Sequence, residues 1–261
     1  MSSFHAVWSL GTLLGGGLAS LLLGLAWTPL EHAGMIACML FILVIVCGRW
    51  LITEEEPSPE KAPLISIPRG PVLVLGLLAF VAMIAEGAAT DWSSIFARNE
   101  LEATPSQAAA VFTVFALTMT LGRFLGDRLV HHWGPDRVLR YACWVGAAGF
   151  MAGLLSENLD GVMFGFACLG LGLANTVPIL FSGASRIPGV NPGVGIAGVA
   201  TLGYFGFLIG PPLIGTIAEF FGLDHALLLI VLFCTLIALN AGRISQGRDS
   251  KPENPETVQG S

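Results

Sequence analysis

Residues 121–140 read LGRFLGDRLVHHWGPDRVLR and form a charged segment between two long apolar stretches. The segment contains four arginines, two aspartates and two histidines. Because so many charged groups cannot be accommodated in hydrocarbon, we expect the charged segment to lie at a membrane face. Arginine and lysine are concentrated in cytoplasmic loops, so the four arginines predict that this face is the cytoplasmic one.

The composition of the whole chain indicates an integral membrane protein. Of its 261 residues, 54% are hydrophobic and 11% are charged, and the mean hydropathy is +0.76. Soluble domains carry roughly 25% charged residues, so this chain has too little polar surface to fold in water. The enzyme motifs GxSxG, HExxH and the P-loop do not occur in the sequence. We therefore predict a protein that is not an enzyme, that needs no metal or other cofactor, and that binds no nucleic acid.

The apolar stretches predict an all-helical membrane fold. A helix crosses the hydrocarbon core with about 20 apolar residues. That length predicts eight spans, whose bounds are 6–27, 33–51, 71–91, 105–129, 138–155, 161–183, 193–219 and 225–243. Thr104 to Gln107 form a capping box with proline at the first position of the fourth span.

The positive charges orient these spans. In the eight-span count, all the lysines and arginines except Arg98 fall on one side of the membrane. This asymmetry predicts that both termini are cytoplasmic. Residues 53–70 are expected to be a polar, proline-rich cytoplasmic linker, and residues 244–261 a disordered cytoplasmic tail.

The charged segment resembles the cytoplasmic-loop signature of the major facilitator superfamily. In that family the signature joins the second and third helices of a six-helix half, and here it joins the fourth and fifth spans. Residues 71–243 therefore resemble the complete C-terminal half of that fold, and residues 1–52 resemble the last two helices of its N-terminal half. The residues that match the signature are Gly122, Arg123, Gly126, Asp127, Arg128 and Arg137.

Further motifs resemble the fucose-permease-like branch of the family. They lie at residues 86–92 (EGAATDW), 170–178 (GLGLANTVP) and 207–215 (FLIGPPLIG). The resemblance implies a secondary transporter with twelve helices, of which the first four have no counterpart in this chain. We leave open whether the chain is a fragment, a shortened gene product or one part of a split protein.

The resemblance also suggests a role for the signature residues. In the family this loop is thought to latch the cytoplasmic gate, and Asp127 could pair with neighbouring arginines when the gate is closed. Exposed ion pairs contribute only about 0–1 kcal/mol each, but several together could bias two states that differ by a few kcal/mol. The alternative is that these charges only anchor the loop in the cytoplasm.

Glu86 is the sharpest single candidate for a functional residue. It is predicted to lie roughly 24 Å along the third span, in the outer part of the hydrocarbon. A carboxylate there is costly unless it is paired or protonated, which suggests a role in substrate binding or proton exchange. The alternative is a boundary carboxylate that reaches water at the outer face, because Asp91 and Trp92 follow closely.

Other candidates lie in the sixth and seventh spans. The amide of Asn175 could bind a substrate hydroxyl or the carbonyls that Pro178 frees in its helix. Tyr204 could face a cavity or pack in the core. Pro178, Pro211 and Pro212 are candidate hinges, although bent helices also occur in static bundles.

These observations together predict a secondary transporter that moves a small solute by alternating access. The partner molecules would be the lipid bilayer, a small polar substrate such as a sugar, and a proton. Glu86, Asp91, Asn175 and Tyr204 are the candidates for substrate or proton binding. The expected location is a bacterial inner membrane. The alternative is a truncated or split protein that does not transport alone, but acts as a remnant or as a partner of a separate four-helix portion.

Overall fold

The computed structural model describes residues 27–50 and 68–244, together with a few single residues before position 27. All regular secondary structure in these ranges is helical, which confirms the predicted all-α class for this part of the chain but not the count of eight spans. The predicted span 6–27 and most of the 53–70 linker lie outside the described residues, as does all but the first residue of the 244–261 tail. The helices are α1 (Pro29–Gly48), α2 (Pro71–Glu100), α3 (Pro105–Trp133), α4 (Pro135–Leu154), α5 (Leu159–Leu173), α6 (Thr176–Ala184), α7 (Pro192–Phe221) and α8 (Leu223–Asn240), with a 3-10 turn at Ala241–Ile244.

Most of these helices are long and apolar enough to cross a bilayer. By length and composition, six candidate spans occur among the described residues. Helix α4 is 20 residues long but falls outside the candidate spans, since its first turns carry Arg137 and Arg140. The candidate spans are Leu30–Gly48, Pro71–Glu100, Gln107–Trp133, Leu159–Ala184, Pro192–Phe221 and Leu223–Ile244.

Helix α1 belongs to a unit of its own, residues 10–65. It begins at Pro29, four residues before the predicted start of its span, because Thr28 caps it. The Thr28 hydroxyl accepts a hydrogen bond from the Glu31 amide at 3.3 Å, and the Glu31 carboxylate accepts one from the Thr28 amide at 2.8 Å. This reciprocal capping box satisfies two amides that the first turn would otherwise leave without partners.

Residues 130–137, which the predicted spans left as a connecting loop, are helical except for Gly134. Helix α3 continues to Trp133 and α4 begins at Pro135, so that Gly134 alone separates them. Gly134 has φ +80°, a left-handed conformation that glycine adopts without steric cost. Helix α3 begins with the predicted capping box, in which Gln107 accepts from the Thr104 amide at 2.8 Å. The helix extends so far because no glycine–proline pair interrupts it before Gly134.

The predicted span 161–183 is broken in the middle. Helix α5 ends at Leu173 and α6 starts at Thr176. Proline has no amide hydrogen, and its ring clashes with the carbonyl four residues earlier, so Pro178 prevents Ala174 from forming a normal helical hydrogen bond. Helix α7, in contrast, continues from Pro192 to Phe221 through both Pro211 and Pro212.

Helix α2 is the centre of the unit that contains α2–α8. It packs against α3, α6, α7 and α8, while α5 packs against α3 and α4. Some contacts require glycine: a Cβ atom on Gly153 of α4 would lie 2.7 Å from the Cα atom of Gly165 in α5. Small residues allow this close approach of helices in lipid, where the hydrophobic effect does not drive them together. The arrangement places the middle of α2 beside α3 and near the α5–α6 break.

Candidate functional site

An ion pair joins α2 to α3 inside the helical unit. Arg123 Nη2 donates a hydrogen bond to Glu86 Oε1 at 2.9 Å. The Arg123 side chain is 3% exposed and that of Glu86 is 15% exposed. A guanidinium remains charged in any protein environment, so the carboxylate supplies the opposite charge that its burial requires.

The same arginine also binds the α5–α6 break. Arg123 Nε donates to the Ala174 carbonyl oxygen at 3.2 Å. This is the carbonyl that Pro178 deprives of its helical partner, because Pro178 lies four residues further along the chain. The arginine side chain thus replaces a backbone amide, and one residue connects the Glu86 carboxylate to the broken helix.

Asn175 makes a second connection between the break and α3. Its Nδ2 atom donates to the Gly122 carbonyl oxygen at 2.9 Å, and the Asn175 side chain is buried. A Cβ atom on Gly122 would lie only 2.6 Å from the Cβ atom of Ala174, so the two segments approach this closely only with glycine there. Among the described residues, Asn175 Oδ1 has no hydrogen-bond partner. Glu86, Gly122, Arg123, Ala174 and Asn175 together form what we call the polar junction.

The polar junction is energetically unusual for the interior of a membrane bundle. Removing two charges from water costs several kcal/mol per ion, and a buried pair recovers this only when its geometry and its other hydrogen bonds are good. Here Arg123 bonds both the Glu86 carboxylate and a backbone carbonyl. Ionisable groups inside a membrane face the bundle interior and commonly belong to functional sites.

The structure brings Glu86 and Arg123 together, although the sequence predicted them at different depths. The sequence placed Glu86 in the outer hydrocarbon and Arg123 at the cytoplasmic face, but their side chains are in contact. Helix α2 is 30 residues long, so Glu86 is in its middle. Helix α3 continues for ten residues beyond Arg123, or about 15 Å. The alternative of a boundary carboxylate stays a prediction, and Glu86 is paired with Arg123 and only 15% exposed.

Of the two alternatives for Asn175, binding of the carbonyl that Pro178 frees is not seen in this structure, and binding of a substrate hydroxyl stays a prediction. Its amide binds a carbonyl of the neighbouring helix, and the carbonyl that the proline frees is bound by Arg123 instead. Sequence reasoning missed this role of Arg123. A signal was present, since an arginine in an apolar helix needs acceptors and Pro178 supplies a free carbonyl.

The remaining substrate candidates lie apart from the polar junction. Asp91 is exposed on α2, and Tyr204 is 63% exposed on α7. The alternative that Tyr204 packs in the core of this unit is therefore wrong. Among the described residues, no group of three or more His, Cys, Asp or Glu side chains is arranged to hold a metal ion.

The other signature residues lie around the turn between α3 and α4. Gly126 is buried in α3, whereas Asp127 and Arg128 are exposed two turns before its end. Arg137 is exposed in the first turn of α4. Arg123 therefore differs from its neighbours, because it alone among the arginines of the charged segment is buried.

The six candidate spans among the described residues indicate a multi-pass helical membrane protein. The chain belongs to the Major Facilitator Superfamily, whose family model matches residues 1–188 and 75–260. The predicted family is thereby confirmed.

Relatives of the chain come from several bacteria. An uncharacterized MFS-type transporter of Yersinia pestis is 35% identical over 246 residues, which cover 94% of this chain and 64% of that protein. Membrane protein MosC of Rhizobium meliloti is 34% identical, over 80% of this chain and 53% of that protein. An uncharacterized transporter of Sinorhizobium fredii is 30% identical over 254 residues, which cover 94% of this chain and 66% of that protein. The chain thus spans about half to two thirds of the length of the curated relatives it matches.

Proposed function

We propose that the chain serves in secondary transport, moving a small solute across a membrane by alternating access. The single observation that supports this most is the buried ion pair between Glu86 and Arg123. A bundle that only had to be stable would gain as much from apolar residues of similar volume. A buried ionisable pair between apolar helices is better explained by a functional site.

The geometry suggests how a solute could act on the helices. Glu86 is the more accessible member of the pair, at 15% exposure against 3% for Arg123. A polar solute or a proton that neutralises Glu86 would weaken its attraction to Arg123. Arg123 also donates a hydrogen bond to the Ala174 carbonyl. If neutralisation of Glu86 allows the Arg123 side chain to move, that hydrogen bond at the α5–α6 break would change as well.

The prolines are the proposed hinges of this motion. Pro178 creates the break next to the polar junction, and Pro211 and Pro212 remove two amide donors within α7. Discontinuous helices near the middle of a membrane are a recurrent feature of transporter binding sites. Asp91 and Tyr204, both exposed in this unit, remain proposed substrate contacts at other positions.

The finer assignments rest on the resemblance in the sequence. We propose that the substrate is a sugar or another small polar solute of the kind moved by the fucose-permease-like branch, and that a proton is the coupling ion. Both termini would be cytoplasmic, in a bacterial inner membrane. Residues 71–243 would form the C-terminal six-helix half, with Asp127, Arg128 and Arg137 latching the cytoplasmic gate.

A second candidate is a protein that does not transport alone. The observation in its favour is that the chain covers only 64% and 53% of two of its relatives. Under this proposal the chain contributes the polar junction, and a separate four-helix portion completes the solute path.

Transport by the purified chain separates these two candidates. The chain would first be screened against sugars and small polar metabolites by thermal shift, and each binder would then be tested in proteoliposomes that enclose a pH-sensitive dye. The first candidate predicts solute-dependent proton entry that Glu86→Gln abolishes. Glu100→Gln, which alters an exposed carboxylate on the same helix, should leave the solute-dependent proton entry unchanged.

Solute binding without proton entry or uptake would support the second candidate. The Glu86→Gln test should then be repeated at the aligned position of a full-length relative. Unchanged uptake and unchanged pH dependence in that variant would exclude Glu86 from the mechanism.

A further inference from the structure

A cleft opens at the turn between α3 and α4, away from the polar junction. Its volume is about 400 Å³, and Trp133, Arg137 and Tyr141 line it. Trp133 is the last residue of α3, and Arg137 and Tyr141 lie four residues apart in α4, on the same face of that helix. The side chains of Trp133 and Tyr141 are 53% and 63% exposed. The cleft is therefore open, with a cation between two aromatic residues.

The position of the cleft along the helices indicates the layer of the membrane that it faces. Trp133 is the final residue of the candidate span Gln107–Trp133. Tryptophan and tyrosine are enriched where hydrocarbon meets the polar headgroups, because their rings are amphipathic. From these two rings, and from the span that ends at Trp133, we expect the cleft to lie at the depth of phospholipid phosphates.

The charges around the cleft favour an anion. Arg128, Arg137 and Arg140 are exposed, as are His131 and His132. Asp127, also exposed, and Asp136, partly buried, are the acidic groups of the same segment. In this segment, three exposed arginines outnumber the two carboxylates, which leaves an excess of positive charge near the turn. A guanidinium also presents paired N–H donors that match the oxygens of a phosphate.

We propose that this cleft binds the headgroup of an anionic phospholipid. Arg137 bonds the phosphate, while Trp133 and Tyr141 pack against the glycerol and the first carbons of the acyl chains. The cleft volume lies within the range of small-molecule sites. Basic pockets between membrane helices on the cytoplasmic side bind such headgroups in general. The lipid would thus hold α3 and α4 together at their shared turn.

The test compares lipids on the purified full chain in detergent, with bound lipid counted by native mass spectrometry. Phosphatidylglycerol and phosphatidylcholine with identical acyl chains differ only in their headgroups. Because one arginine near a membrane surface is worth about 1 kcal/mol, Arg137→Gln should weaken phosphatidylglycerol binding about fivefold. Arg69→Gln removes an exposed arginine outside the cleft and should leave the affinity unchanged. Circular dichroism would verify that both variants are folded.

Three results would overturn the proposal. The two lipids could bind the wild-type chain equally, or both variants could lose affinity equally, which would indicate diffuse attraction to surface charge. The third is that glycerol 3-phosphate, the soluble headgroup, binds as tightly as phosphatidylglycerol, which would assign the cleft to a free phosphate. The proposal predicts that glycerol 3-phosphate binds at least tenfold more weakly, because it lacks acyl chains for Trp133 and Tyr141.

Discussion

The guanidinium of Arg123 bonds the Glu86 carboxylate at 2.9 Å and the Ala174 carbonyl at 3.2 Å. The first contact is an ion pair between α2 and α3. The second gives a hydrogen-bond donor to the carbonyl that Pro178 leaves without its helical partner. The residue therefore contributes both to the electrostatic balance of the interior and to the geometry of the α5–α6 break.

Glu86→Gln should destabilise the protein. The substitution leaves the Arg123 guanidinium buried at 3% exposure without its counter-charge, and breaking a buried pair in this way costs about 3–5 kcal/mol. Unfolding in mixed micelles would measure the change. Glu100→Gln serves as the control and should stay within about 0.5 kcal/mol of the wild type, as substitutions of exposed residues usually do. Equal stability of the two variants would show that Arg123 does not depend on Glu86.

Gly122→Ala should also destabilise, for a steric reason. Its new methyl group would lie 2.6 Å from the Cβ atom of Ala174, and such overpacking costs about 1–3 kcal/mol. Gly87→Ala is the matched control, because its methyl group would meet Phe207 at an ordinary 3.6 Å. That control should be neutral or stabilise by about 0.5–1 kcal/mol, since alanine is the better helix former. If both variants unfold at the same denaturant concentration, α3 does not approach the break this closely.

Pro178→Ala should close the break between α5 and α6. The substitution restores an amide hydrogen at position 178, which can then bond the Ala174 carbonyl in place of Arg123. Hydrogen exchange followed by mass spectrometry should show slow exchange of the new amide. Fast exchange there would mean that Arg123 keeps the carbonyl and that the proline is not the cause of the break.

Cysteine labelling should place the two ends of α3 on opposite sides of the membrane. Helix α3 has 29 residues and so extends about 43 Å, enough to cross the hydrocarbon. In a variant whose native cysteines are replaced by serine, His131→Cys should react only with reagent on the cytoplasmic side. Glu100→Cys should react only from outside, and a cysteine placed after residue 244 should behave as His131→Cys does. Labelling of His131→Cys and of the tail from opposite sides would contradict the proposed topology.

The sequence was sufficient for the fold class and the family, because both depend on patterns along the chain. Long apolar stretches predict helices, and the GRFLGDR stretch at residues 122–128 carries the family resemblance. The capping box at Thr104 was also predictable, since it is a contact between residues three positions apart.

The polar junction was not predictable in the same way, because it depends on distances between separate helices. Arg123 and Glu86 are 37 positions apart, and their predicted depths depended on helix ends that were placed too early. Because α2 ends at Glu100 and α3 at Trp133, both residues lie further from the ends of their helices than predicted. Helix ends are the least certain feature of a sequence pattern. The end of α2 lies nine residues beyond the predicted end at residue 91, which increases the distance of Glu86 from the helix end by about 14 Å.

A double-mutant cycle on the unfolding free energy tests the central claim most directly. Glu86→Gln, Arg123→Gln and the double variant would be unfolded under identical conditions, with the difference from additivity taken as the coupling energy. The 2.9 Å contact predicts a favourable coupling of about 1.5–3 kcal/mol, so that the double variant is less destabilised than the sum of the single ones. A coupling below about 0.5 kcal/mol would show that the two side chains do not interact, and would contradict the proposed site at the polar junction.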